Sequence, residues 1–206
     1  MNNDFKDILL NRKSVKVYDE DVKISHEEML EMLDETVTAP SAVNLQPWRF
    51  VVAESKEAKD AILEISTNVN QVSSSAAVVV FFGDLQPQAN LNKIYDEALA
   101  TGKMPKEVYD RQVGFIKPFY DGFSEQWMRE VVKIDTSLAA MQFMLVVREH
   151  GYDTNAMTGY EADKMAEKMG LDPKRYVPVM MISVGKAKEA GYDSVRMPAK
   201  DITEFK

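Results

Sequence analysis

The chain has 206 residues, enough for one domain with a substantial core or at most two small ones. Its 33 acidic and 25 basic side chains give a formal net charge of −8, which disfavours nucleic acid and anionic membranes as main partners, since both need a basic face. Cysteine is absent, which removes disulfides, thiolate metal ligands and a cysteine nucleophile together and fits a reducing, cytoplasmic compartment.

The start, Met1-Asn2-Asn3-Asp4, lacks the charged-then-apolar pattern of a secretion signal. Phe5, Ile8 and Leu9 then recur at helical spacing up to the polar run Asn11-Arg12-Lys13-Ser14. Val15 and Val17 alternate with Lys16 and Tyr18, predicting a short strand or extended segment. Ser25 with Glu28 makes a capping box for a helix carrying Met29, Leu30, Met32 and Leu33, which should stop before Pro40. Residues 41–47 read as a loop, Phe50-Val51-Val52 as a buried strand and residues 56–65 as an amphipathic helix. Residues 76–82 form a continuous β-branched and aromatic run, the best candidate for a central strand, which Gly83-Asp84 should end.

Residues 86–126 mix short helical patterns with turn residues such as Gly114 and Pro118, and are rich in aromatics. They read as an excursion too broken to bury an interior of its own. Residues 125–150 predict one long helix stopped by Gly151. Its stretch 137–147 is too short to cross a bilayer and apolar on nearly every side. Such a helix must be covered all round, and the most economical cover beyond the sheet is the same helix of a second copy. Residues 153–158 predict loop or strand, 161–169 a helix, and 177–184 a buried strand with Pro178 near its start. The polar tail 186–206 reads as an arm. The whole predicts a single α+β domain, a three-layer α/β/α arrangement with a small mixed, mainly antiparallel sheet between helices.

Several chemistries find no support. No G-x-G-x-x-G follows a strand, and neither a G-x-x-x-x-G-K-[ST] nor a G-x-S-x-G is present. The two histidines, His26 and His150, both fall in helical patterns where solvated side chains are expected, so no metal site is expected. Any chemistry is more easily carried by a cofactor than by side chains.

Two segments stand out. Arg12, Lys13, Ser14 and Lys16 put three cations and a hydroxyl within five residues, a group able to grip a phosphate monoester through charge-assisted hydrogen bonds. The run Ala39-Pro40-Ser41-Ala42-Val43-Asn44-Leu45-Gln46-Pro47-Trp48 combines small residues, two rigidifying prolines and two side-chain amides suited to the edge of a heterocycle. Together they closely resemble the R-x-S-x-[RK]-x-Y/F and A-P-S-x-x-N-x-Q-P-W signatures of the FMN-dependent nitroreductase family. The resemblance extends over the whole chain: Asn68, Asn70 and Gln71 precede the central strand, residues 151–159 match the loop beside the flavin ring, and Arg196-Met197-Pro198 matches the late basic segment.

The resemblance implies a homodimer with an exchanged C-terminal arm and FMN held between the subunits. Arg12, Ser14, Lys16 and Arg196 would hold the phosphate, with Lys13 on the pyrimidine side of the ring. Asn68 and Gln71 would contact the ribityl chain or pyrimidine. Pro40, Ser41, Ala42, Asn44 and Gln46 would come from the other subunit. The Thr158 and Gly159 backbone would face flavin N5, with Ala156 and Met157 behind the ring, and no side chain would be catalytic. Two departures stand out. Ala156-Met157-Thr158-Gly159 replaces the Pro-x-Glu-Gly of several members, and Ser194 replaces a lysine two residues before the late arginine. Phe119, Tyr120 and Phe123 are candidates for the mouth of a substrate cavity.

The implied reaction passes a hydride from NAD(P)H through the flavin to a nitroaromatic, quinone or related small-molecule acceptor in ping-pong fashion. Enone reduction, dehalogenation and flavin breakdown on the same scaffold are alternatives, as is a non-catalytic FMN store. A flavin-free interaction protein would leave both segments unexplained.

Overall fold

The computed structural model describes residue 1 and residues 3–206. Among these, the elements are α1 Phe5–Asn11, α2 His26–Thr36, β1 Trp48–Ala53, α3 Lys56–Leu63, α4 Val69–Ser74, β2 Ala77–Asp84, α5 Leu91–Ala100, α6 Lys106–Asp121, α7 Glu125–Glu149, β3 Asp153–Met157, α8 Ala162–Lys168 and β4 Tyr176–Gly185.

Side chains start the helices where the capping residues stand. Ser25 accepts from Glu28 N (3.1 Å), Ser55 from Ala58 N (3.1 Å) and Ser124 from Trp127 N (3.2 Å), each contact worth about 1 kcal/mol. Gly151 stops α7 as expected. At φ 84° its N–H reaches the Arg148 carbonyl, and Tyr152 N reaches the Val147 carbonyl, both at 3.0 Å. That left-handed position favours glycine.

The sheet runs β1-β2-β4-β3 with every neighbouring pair antiparallel. The only parallel pairing among the described residues is an isolated bridge from Ser14 to Thr154. The expected strand at 15–18 is reduced to that bridge and a second one, Tyr18 to Ala187. Gly83 and Asp84 do not end β2 but complete it. Phe81 pairs with Met180 while Phe82 pairs with Pro178. Val179 is therefore the extra residue of a bulge, which places the proline where the ladder is already interrupted.

All of β2 is buried, and its alternation divides the core. Ala77, Val79 and Phe81 pack with Met29, Met32 and Leu33 of α2 and Ala140, Phe143 and Val147 of α7. On the other face Val78, Val80 and Phe82 meet Ile62, Val72, Met165 and Ala166 from α3, α4 and α8. Each of the valine, leucine, isoleucine, phenylalanine and methionine side chains among them contributes about 1.5–3 kcal/mol on burial. Helices on both faces of one sheet make the expected three layers.

The excursion departs from its reading. Tyr109, Val113, Ile116 and Tyr120 share one face of α6, a 16-residue helix that runs through Gly114 and holds Pro118 near its end. That stripe joins Leu91, Tyr95, Leu45, Met128, Val132 and Val177 in a third core cluster. Tertiary burial overrides the local cost of glycine and proline here, so the segment does bury an interior, built jointly with α7 and the 41–47 loop.

Opposite the sheet, Ile134, Leu138 and Met141 of α7 form an exposed apolar stripe. The tail is likewise uncovered beyond Gly191, with Val195, Met197, Ile202 and Phe205 all exposed. No helix among the described residues is long and apolar enough to cross a membrane.

Candidate functional site

Residues 41–46 form a strained turn. Val43, Asn44 and Gln46 all take positive φ, at 44°, 56° and 49°, and left-handed residues other than glycine cost of order 1 kcal/mol or more each. The surroundings over-determine the conformation. Ala42 N donates to Asp135 Oδ2 of α7 (3.0 Å) and Gln46 N to Ser41 Oγ (3.0 Å). Asn90 Nδ2 donates to the Leu45 carbonyl (3.1 Å), and Tyr95 OH to that of Val43 (3.0 Å). The turn thus presents Asn44 and Gln46, which share a hydrogen bond of 3.3 Å, on a rigid frame. A groove of about 420 Å³ lined by Gln46, Trp48, Asn90, Lys93, Ile94 and Glu97 runs beside it.

The cationic segment lies along the opposite edge of the sheet. Val15, buried, donates its N–H to the Thr154 carbonyl of β3 (3.0 Å). Among the described residues the half-buried Arg12 guanidinium makes no ion pair or hydrogen bond within the chain, and Lys16 lies over the Tyr192 ring (5.6 Å) without a carboxylate partner. Lys13 is paired with Asp193 of the tail, whose carboxyl it holds below the usual range by hydrogen bond and charge. Gly191 is where the tail crosses this segment, and a Cβ there would meet Lys13 Cβ at 2.5 Å. Between Ser14, Lys16 and Val17 on one side and Glu189, Ala190, Gly191 and Tyr192 on the other is a cavity of about 80 Å³. It has room for a group of phosphate size and none for a tricyclic ring.

At the far end of β3 the chain turns through Thr158 and Gly159. Ser66 Oγ donates to the Gly159 carbonyl (2.8 Å), Asn68 Nδ2 donates to the same oxygen (3.0 Å), and Glu161 N reaches the Ile65 carbonyl (2.9 Å). Tyr160 packs against the core beneath, and its burial pushes the phenol up to about 12. Asn68 is thus spent at least partly on the loop itself. Gln71, in the first turns of α4, is half-buried and makes no hydrogen bond within the described chain. Ala156, Thr158 and Gly159 are exposed, while Met157 is buried.

One chain therefore brings Arg12, Lys13, Ser14, Lys16, Asn68 and residues 156–159 to the β3 edge. Pro40, Ser41, Ala42, Asn44 and Gln46 lead into β1, three strand spacings or about 14 Å away. In a single copy the two sets thus stand at opposite edges of the sheet. Arg196 lies in the exposed tail, where among the described residues it donates only to the Val195 carbonyl. Of the aromatic candidates, Tyr120 is a core residue of the third cluster. Phe119 is exposed beside Phe115, and Phe123 stacks on Trp127.

The sequence reading missed the residues that hold the turn: Asp135, Asn90 and Tyr95. Asp135 had a signal, since it lies on the buried stripe of Met128, Val132, Ala139 and Phe143. Burial raises its carboxyl above the usual range, with the Ala42 N–H acting the other way. A carboxyl raised by folding gives stability present at low pH and lost as pH rises through the folded-state value. Asp135→Asn keeps an acceptor for Ala42 and removes the buried charge. It is expected to match or exceed the parent Tm at pH 8, with any advantage shrinking as pH falls and the parent carboxyl takes up its proton. Thermal melts from pH 4 to pH 8 check this; an asparagine variant less stable at pH 8 than at pH 4, relative to the parent, contradicts it.

Histidine 150 is a correction. Its side chain is 4% exposed and packs near Glu35, because the end of α7 lies under α2. His26 is exposed, 2.5 Å from Glu54, as expected of a solvated side chain.

The sequence model of the Nitroreductase family matches residues 9–186. YdgI of Bacillus subtilis, provisionally named an NAD(P)H nitroreductase, is 46% identical over 205 residues, covering 99% of this chain and 98% of that protein. The CLA biosynthesis enone reductase of Lactiplantibacillus plantarum is 40% identical over 207 residues, 100% of this chain and 95% of that one. Among solved structures, a provisionally named nitroreductase from Exiguobacterium sibiricum in complex with FMN superposes with a TM-score of 0.97 at 47% identity, covering 100% of this chain and 99% of that chain.

Proposed function

Because the chain belongs to the nitroreductase family, we propose that it is an FMN-dependent oxidoreductase. In this reading it works as a homodimer, a single FMN-binding domain per subunit, and passes a hydride from NAD(P)H to a small-molecule acceptor. The observation that carries the reading is the cationic segment at one end of β3, where the half-buried Arg12 has no polar partner among the described residues and Ser14 and Lys16 line the small cavity, with the partly exposed 156–159 segment at the other end. The strand residues between Thr154 and Met157 separate the two ends by about 10 Å, the order of span between the phosphate and ring of the cofactor.

When bound, FMN supplies the hydride chemistry, and the protein supplies binding, orientation and electrostatics. Arg12, Ser14, Lys16 and Arg196 hold the phosphate. Asn68, through its remaining capacity, and Gln71 serve the polar chain. Lys13 offers positive charge to the pyrimidine side once its contact with Asp193 opens. The loop 156–159, braced by Ser66 and Asn68, keeps its backbone in place without a catalytic side chain. Pro40, Ser41, Ala42, Asn44 and Gln46 come from the second subunit, since one copy holds them at the opposite sheet edge. The exposed stripe Ile134, Leu138 and Met141 and the uncovered tail are the surfaces this pairing would bury. Phe119, exposed, and Phe123, half-buried, border the acceptor's approach. A cytoplasmic location belongs to the same reading.

Anaerobic addition of NADH or NADPH to the yellow protein tests this. Rapid bleaching, with recovery on adding an acceptor, is expected; yellow protein that neither donor bleaches would make it a flavin store. The similarity to an enone reductase favours an enone as a second acceptor class. Turnover with a nitroarene, a quinone, an enone and free flavin, compared at equal concentration, ranks them.

A further inference from the structure

Glu35 near the end of α2, and Glu149 and His150 at the end of α7, bring three ligating groups together away from the residues assigned above. One carboxylate oxygen of each glutamate and one imidazole nitrogen lie within 4.8 Å of one another. His150 Nε2 is buried and has no hydrogen-bond partner among the described residues. Glu35 Oε2 stands 3.5 Å from it, too far for a well-formed hydrogen bond. A buried nitrogen left bare between two carboxylates is costly, and a cation satisfies all three groups at once.

The backbones that carry these groups are fixed. Gln142 Nε2 donates to the Glu35 carbonyl (2.8 Å) and to Thr38 Oγ1 (2.6 Å), and Tyr152 OH donates to Glu28 Oε2 (2.9 Å). His150 itself is held by its N–H to the Val146 carbonyl (3.0 Å) and by the turn at Gly151. A ligand set on such supports is preorganised.

We propose that Glu35, Glu149 and His150 bind a divalent first-row transition cation, with zinc the best match, which clamps α2 to the end of α7. One imidazole and two carboxylates suit zinc, whereas magnesium and calcium prefer all-oxygen sites with more ligands. Zinc ligands at about 2.0–2.2 Å in a tetrahedron stand about 3.3–3.6 Å apart; His150 Nε2 and Glu35 Oε2 are already 3.5 Å apart, and the Glu149 carboxylate, within 4.8 Å of both ligand atoms, completes the set by a small side-chain shift. Glu35 is partly exposed, leaving a side open for water as a fourth ligand. Glu27, Glu31 and Asp34 join Glu35 along an open groove and raise the local concentration of cations. The clamp stiffens the turn from α7 into β3, the strand that ends in the 156–159 loop. The inference is independent of the oxidoreductase reading, because it involves none of the residues assigned to FMN.

Zinc titration of the tag-free, flavin-loaded protein tests it, followed by calorimetry and by thermal melting. The chain has no cysteine and only one other histidine, so competing sites are few. One zinc per chain is expected, at micromolar affinity or tighter, with a rise in Tm that magnesium at the same concentration does not produce. Glu35→Gln and His150→Gln are each expected to weaken binding at least tenfold, and His26→Gln to leave it unchanged. Should His150→Gln fold poorly, the partly exposed Glu35→Gln carries the comparison alone. Absence of binding up to millimolar zinc overturns the proposal, as does a site that survives Glu35→Gln or disappears with His26→Gln.

Discussion

Arg12→Ala is expected to release most of its flavin on dilution while keeping the parent's fold. The guanidinium makes no ion pair or hydrogen bond within the described chain, so its removal breaks no polar contact there. A charge-assisted hydrogen bond to a phosphate contributes about 1.5–3 kcal/mol, and its loss raises the dissociation constant by about 10- to 150-fold. Arg196→Ala is expected to act in the same direction, since that side chain donates only to its neighbour's carbonyl. Lys13→Ala should cost less, because Lys13 already has Asp193 as a partner. Flavin fluorescence in the filtrate after repeated ultrafiltration, beside far-ultraviolet circular dichroism, measures both quantities. Full occupancy in both arginine variants counts against the phosphate assignment.

The second large effect is on stability. Asp84, buried at the end of β2, receives Arg175 Nε on Oδ1 (2.9 Å) and Nη2 on Oδ2 (2.6 Å), and its own N–H reaches the Pro47 carbonyl (2.6 Å). Removing one partner of a buried pair costs about 3–5 kcal/mol. Arg175 is 36% exposed, so water screens part of this and about 2–3 kcal/mol is expected for Arg175→Met. For a chain of this size that lowers Tm by roughly 5–10 °C. Adding Asp84→Asn should recover much of the loss, because the penalty comes from the charge left unpaired rather than from the pair itself. Melts of the single and double variants distinguish the two; a single variant within about 1 °C of the parent would show that the carboxylate is already well solvated. The contact also matters for the site, since Asp84 holds Pro47 and with it the end of the 41–46 turn.

What was legible in the sequence was what local chemistry decides. Residues 76–82 announced a strand buried on both faces, Ser25 and Glu28 a helix start, and Gly151 a helix stop, and the structure has each of them. The two segments around Arg12 and Asn44 stood out through their combined resemblance to the nitroreductase signatures, and the family is the one the chain belongs to. What stayed hidden depends on contacts distant in sequence. Pro118 and Gly114 read as breakers, yet α6 runs through both because Ile116 and Tyr120 are buried in the third core cluster with Leu91 and Tyr95 of α5 and Met128 and Val132 of α7. Nothing local announced positive φ at Val43 and Gln46, since the bonds that enforce that turn come from Asp135, Asn90 and Tyr95. His150 read as solvated because its helical context gives no hint that α2 covers the end of α7. The uncovered stripe on α7 was anticipated from its all-round apolar sequence, and the structure of one chain leaves Ile134, Leu138 and Met141 exposed.

The most direct measurement is the electron density of crystals grown from the yellow protein. A tricyclic ring is expected between two copies, in contact with Ser41 and Asn44 of one and the 156–159 loop of the other, with its phosphate on Arg12 and Lys16. A ring bound wholly within one copy, or density there explained by protein side chains alone, would contradict it.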